Sequence, residues 1–131
     1  MNDFPGIGHV AVTVTDLSVS RPWYQRLIGA EPVLDEVTDG GFHHTVFLID
    51  GTLLGLHEHP STDPDDTFTE FRTGLDHIAF GCPDRDSLTT WETRLDDLGI
   101  THGGIVDAHY GSGLSFRDPD GIALELFAPP A

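Results

Sequence analysis

The sequence contains no lysine. Its six basic side chains are all arginines, set against 22 aspartates and glutamates, for a formal net charge of −16. A field of that sign repels phosphate backbones and anionic headgroups, which argues against nucleic acid and membrane surfaces as partners. It attracts divalent metal ions and cationic ligands, although solubility alone also produces such surfaces. Cysteine is almost absent as well: Cys82 stands alone, so no intrachain disulfide can form, and a reducing cytoplasm is the expected location. Preceded by a strand-like run and followed by Pro83, its thiol reads as inert and half-buried, because nothing adjacent in sequence would stabilise a thiolate. No apolar run approaches the roughly 20 residues that a membrane helix needs. The first five residues carry neither the basic flank nor the apolar stretch expected of a signal peptide.

What the chain does contain is one unit written twice. Gly6-Ile7-Gly8-His9-Val10-Ala11-Val12 is echoed by Gly74-Leu75-Asp76-His77-Ile78-Ala79-Phe80, with the two histidines 68 positions apart. The same offset links Asp16 to Asp84, Trp23 to Trp91, Arg26 to Arg94 and Leu27 to Leu95. The later turns Asp50-Gly51 and Asp120-Gly121 match at an offset of 70, as a two-residue insertion would produce. An ordered series of this kind marks an internal duplication.

Within the first copy, residues 7–14 alternate and are rich in β-branched side chains, which predicts a strand. Asp16 or Ser18 is placed to cap a helix whose first turn admits Pro22 and which stops at Gly29. Strands are expected at 32–37, 43–49 and 52–59, the last two joined at Asp50-Gly51, a strong hairpin signal. The second copy reads as a strand at 76–82, a helix from Asp86 to Leu98, and strands near 104–107, 113–117 and 122–127. The expected fold is therefore α+β, a single domain over 1–131. Two paired βαβββ modules, 5–60 and 74–130, would form a curved mixed-sheet cup with helices on its outer face. The polar connector 61–73 carries no expected chemistry.

Strand alternation sends Val10, Val12, Val14, Leu54, Leu56, Ile78, Phe80, Leu124 and Leu126 towards the helices. The opposite face then receives His9, Leu53, Gly55, His57, His77, Ser115, Glu125 and Phe127. A carboxylate among apolar strands has to be paired, metal-bound or hydrated. His9, His77 and Glu125 fall on the first, first and last strands of their modules, all on that face. Two imidazoles and a carboxylate suit a borderline divalent ion and leave coordination positions open to substrate oxygens. A hydrated histidine at a strand edge, or a His–Glu hydrogen bond without metal, are the structural alternatives. His57 is the candidate general base or fourth ligand, or else a polar residue of the rim. Phe47, Leu53 and Phe127 are expected as apolar walls, with His43 facing the cup and His44 facing away. Ser115 and Arg117 also point inward. Arg117 would grip a substrate carboxylate with two parallel hydrogen bonds, or pair with surface acids.

The chain resembles the vicinal oxygen chelate superfamily of glyoxalases, bleomycin-resistance proteins and extradiol dioxygenases. Besides the two histidine phrases, the resemblance rests on Trp23-Tyr24 through Leu27-Ile28-Gly29. It rests most specifically on Arg117-Asp118-Pro119-Asp120-Gly121-Ile122-Ala123-Leu124-Glu125-Leu126-Phe127. It implies paired βαβββ modules, a divalent ion (Fe, Mn, Ni, Co or Zn) held by His9, His77 and Glu125, and a small-molecule substrate bound through adjacent oxygens. A homodimer is implied too, since many members are dimers. The activities implied are lyase or isomerase proton chemistry, or ring-cleaving dioxygenation; the alternative is sequestration of a cationic drug of the bleomycin-resistance kind. The family's fourth ligand position falls on Gly55, which can neither ligate nor take a proton, and that argues against glyoxalase I and epimerase chemistry. The lack of lysine argues against a phosphonate transferase.

Overall fold

The computed structural model describes residues 3–131 and separates them into two units divided between Asp66 and Thr67. In the first unit the elements are β1 (His9–Thr13), α1 (Leu17–Ile28), β2 (Leu34–Val37), β3 (His43–Ile49) and β4 (Thr52–Glu58). They form a four-stranded sheet in the order β1-β4-β3-β2, with β1 parallel to β4 and the other pairs antiparallel. The second unit repeats this with β5 (Ile78–Gly81), α2 (Arg85–Asp97), β6 (His102–Ala108), β7 (Gly111–Arg117) and β8 (Ala123–Ala128), in the order β5-β8-β7-β6. The duplication read from residues is thus a duplication of topology.

Local chemistry sets the boundaries. Asp16 accepts a hydrogen bond from the Ser18 amide at 2.9 Å and starts α1, and Gly29 ends it in the left-handed conformation at φ 77°. Because Asp16 rather than Ser18 is the cap, Pro22 lies in the second turn, where it leaves the Ser18 carbonyl without its helical donor. Asp84 caps α2 in the same way, through the Ser87 amide. Asp50 and Gly51 both have positive φ, 42° and 83°, the conformation that a two-residue hairpin requires between β3 and β4. Strand β6 is longer than the alternation of residues 104–107 suggests. Its register shifts between His102 and Ile105, around Gly104 at φ 74°, and this irregularity hides the period.

Each helix covers one sheet face. In the first unit Val12, Val14, Tyr24, Leu27, Phe47, Leu54 and Leu56 form the core, and in the second Leu88, Leu95, Leu114, Phe116, Leu124 and Leu126 do so. The turn before β8 is held by Asp118, buried at 5% exposure, whose Oδ1 accepts from the amides of Asp120 and Ile122, both at 2.8 Å. Asp118→Ala is expected to cost about 2 kcal/mol, since hydrogen bonds to an ionised acceptor contribute roughly 1.5–3 kcal/mol. A shifted urea midpoint with an unchanged slope would report it.

Candidate functional site

Strand register decides which side chains share a face. In the first unit Ala11 lies opposite Gly55 and Thr13 opposite His57, while His44 pairs with His57, Val46 with Gly55 and Leu48 with Leu53. The uncovered face therefore carries His9, Leu53, Gly55, His57 and His44. Two expectations are corrected here. Phe47 pairs with Leu54 and is fully buried in the core under α1, so it is no wall of a site. His43 pairs with Glu58, whose carboxylate accepts from the Leu17 amide at the start of α1. His43 is thus on the helix side, hydrogen-bonded to Asp35, and His44 is the histidine on the uncovered face.

Gly55 is not an empty position in space. The His57 ring leans back along β4 so that Nε2 lies 3.4 Å from where a Cβ at position 55 would stand. Phe42 stacks with the same ring, with centroids 4.6 Å apart and an interplanar angle of 26°. His44 and His59 flank it at 5.9 and 6.0 Å. Burial, followed by the neighbouring His44, His59 and His9, pushes the His57 pKa below the usual histidine range. Its imidazole therefore stays neutral, and able to accept a proton, to lower pH than a free histidine would.

In the second unit a cavity of about 440 Å³ opens on the uncovered face, lined among others by Asp76, His77, Ser115, Arg117 and Glu125. Glu125 lies opposite both Ala79 and Ser115, and the Ser115 hydroxyl is 3.5 Å from its Oε2. Two residue pairs along, on the same face, a Cβ at Gly113 would come within 2.7 Å of that oxygen, so the carboxylate occupies room that only glycine leaves. Asp76 Oδ1 is 2.7 Å from His77 Nδ1, which fixes the ring and leaves Nε2 as the nitrogen for another partner. Phe127 stands further along β8, its ring stacked with Tyr110 at 6.4 Å.

Two lining residues were not anticipated from the sequence. His102 donates to Asp96 through Nε2 (2.7 Å) and accepts the Gly104 amide at Nδ1 (3.0 Å), so both its nitrogens are committed to holding the bulge of β6. Glu70, from the connector, binds Arg117 through both carboxylate oxygens at 2.8 and 3.1 Å. No local pattern announces a contact across 47 residues.

Among the described residues, no three His, Cys, Asp or Glu side chains converge to hold an ion as they stand. The second unit does carry donor types that suit a divalent ion. An imidazole with its second nitrogen tied to a carboxylate and a glutamate given space by glycine line the same cavity. Gly113→Ala is expected to displace the Glu125 carboxylate and weaken metal uptake by about tenfold; titration of the variant with Mn(II) or Zn(II) checks this.

Residues 6–126 match the family of the glyoxalase/bleomycin resistance protein/dioxygenase superfamily. A metallothiol transferase FosB of Bacillus licheniformis is 31% identical over 95% of this chain and 76% of its own length. A putative ring-cleaving dioxygenase, MhqA, of Bacillus subtilis is 38% identical over 94% of this chain, which spans only 39% of that longer protein. The crystal structure of a glyoxylase/bleomycin resistance protein/dioxygenase domain from Frankia sp. EAN1pec superposes with a TM-score of 0.83 at 34% identity, covering 97% of this chain and 93% of the other.

Proposed function

We propose, from the premise that this chain belongs to the glyoxalase/bleomycin resistance protein/dioxygenase superfamily, that it is a divalent-metal-dependent enzyme acting on a small molecule with adjacent oxygen atoms. The observation that carries this reading is the cavity that His77 and Glu125 both line, with Gly113 leaving the carboxylate its room. His77, Glu125 and His9, the duplicate of His77, are the residues that would hold the ion, which is Fe, Mn, Ni, Co or Zn. When bound, such an ion polarises substrate oxygens and stabilises the negative charge that develops on them.

The remaining chemistry is assigned to this chain's own side chains. His57 accepts the substrate proton: burial lowers its pKa below the usual histidine range, its ring stacks with Phe42, and its Nε2 lies beside Gly55. Leu53 and Phe127 are the apolar surface assigned to the site in their respective units, and Ser115 steadies Glu125. Because the pKa of His57 is lowered, its base form persists as the pH falls, until the pH drops through that lowered value. The acidic limb of kcat/KM is expected below the usual histidine range and should vanish in His57→Gln; a pH–rate profile of both proteins checks it.

Turnover of catechols in air with Fe(II), compared with turnover of hemithioacetals with Ni(II) or Zn(II), separates dioxygenation from proton chemistry. Protein purified without chelators that can be loaded with none of the five metals would sink the enzyme reading. The charge of −16 favours a second reading, sequestration of a cationic natural product, which no turnover together with tight binding of such a compound would support. A homodimer is part of the proposal, and light scattering tests it.

A further inference from the structure

The wall of the second-unit cavity holds a ready-made fork for an anion, and an internal carboxylate fills it. Arg117 is the one guanidinium among the lining residues, and it meets Glu70 in the two-pronged geometry that guanidinium groups use to bind carboxylates and phosphonates. Its NH1 also donates to the Gly121 carbonyl at 3.0 Å, which fixes the fork in place. Glu70 is held from its own side, because the connector is pinned two residues earlier by the Phe68 amide on the Asp120 carbonyl, at 3.0 Å. The bond from Arg117 keeps the Glu70 carboxyl down at about 2, so it is ionised throughout the working range. With Arg117 occupied, the lining also holds the carboxyl groups of Asp76 and Glu125, and no second guanidinium or ammonium group lines the cavity to offer an anion a two-pronged partner.

We infer that Glu70 sets the charge selectivity of the cavity. By occupying Arg117 it denies anionic substituents their docking group and reserves the site for molecules that are uncharged or cationic apart from the oxygens that react. This rests on the reading of the cavity as the substrate site. It also narrows that reading, because it disfavours carboxylate-bearing and phosphonate-bearing substrates in the native protein and favours neutral phenolic or carbonyl compounds.

The test is a titration with benzoate, followed by NMR at the Arg117 side-chain N–H and the Gly121 amide. Native protein, Glu70→Gln, Glu70→Ala, the double variant Glu70→Gln/Arg117→Gln and the control Asp65→Asn are compared. Both single variants at Glu70 are expected to bind benzoate at least about tenfold more tightly than native protein, the scale of one hydrogen-bonded charge contact. The gain should disappear in the double variant and be absent in Asp65→Asn, which removes the same charge from another site on the connector. Native protein that binds as tightly as the Glu70 variants overturns the inference. So does a gain that survives loss of Arg117, and so does the absence of any gain in both Glu70 variants when their spectra remain folded. Anion binding at a metal would appear equally in every protein. A failed titration therefore leaves the metal reading standing, and failed metal loading leaves this titration interpretable.

Discussion

Alanine at position 77 is expected to abolish stoichiometric metal binding while the protein stays folded. The side chain of His77 is about half exposed, at 47%, and lies just before β5 rather than in the core, so its removal should change stability by no more than about 0.5 kcal/mol. As a ligand, by contrast, it has no replacement. The other histidine lining its cavity, His102, has both nitrogens engaged by Asp96 and Gly104. Loss even of an outer hydrogen-bond partner costs a metal site about 10–100-fold in affinity, so loss of the imidazole itself should exceed about 100-fold. Asp76→Asn should fall within the smaller range, because it removes the carboxylate that orients the ring but keeps the ring. Metal analysis after dialysis, with circular dichroism as the fold control, measures both. Full occupancy in His77→Ala would show that the ligand assignment is wrong.

Gly111→Ala should unfold the protein more readily than any other single-methyl addition at a glycine. Gly111 has φ 146°, in a region that side chains rarely enter. A Cβ there would stand 2.3 Å from the Phe127 ring and 2.5 Å from the Ala128 carbonyl oxygen. The ring can swing aside, but the carbonyl is part of the ladder between β7 and β8, where Ser112 pairs with Ala128. Backbone strain of about 1–3 kcal/mol and overpacking of similar size then add. The expected loss is on the order of 3 kcal/mol or more, with a fall in Tm on the order of 10 °C. Gly8→Ala makes the contrast, since a Cβ there meets no atom within 4 Å and its backbone is not strained; it should be neutral or slightly stabilising. Thermal scans of the two variants side by side would show the difference. Equal melting temperatures would rule out the tight packing of Phe127 against β7.

The two variants draw on different kinds of information. The repeat, the period of two along the strands and the Asp-Pro-Asp-Gly turn were enough to put His9, His77 and Glu125 on strands or strand ends of equivalent modules. They also set Gly55 against Glu125. Position along a strand is a local property, and duplication supplies the correspondence. Residues 43–49 escaped this reading because both of their faces are apolar enough to be the inner one. The signal was present all the same: a two-residue turn at Asp50-Gly51 pairs Ile49 with Thr52, and counting back from it pairs His44 with His57 and buries Phe47 with Leu54.

By itself, then, the sequence determined the two βαβββ units, their caps and turns, and the residue types available to a metal, because each of these follows from chain-local geometry and from the repeat. Tertiary structure alone decided three things. The His57 ring turns back towards Gly55 and stacks with Phe42. The Glu125 carboxylate fits beneath β7, because Gly113 has no side chain. Arg117 is already occupied, because the path of the connector brings Glu70 to it. Rotamers and contacts between distant segments depend on what else fills the same space, and no periodicity records that.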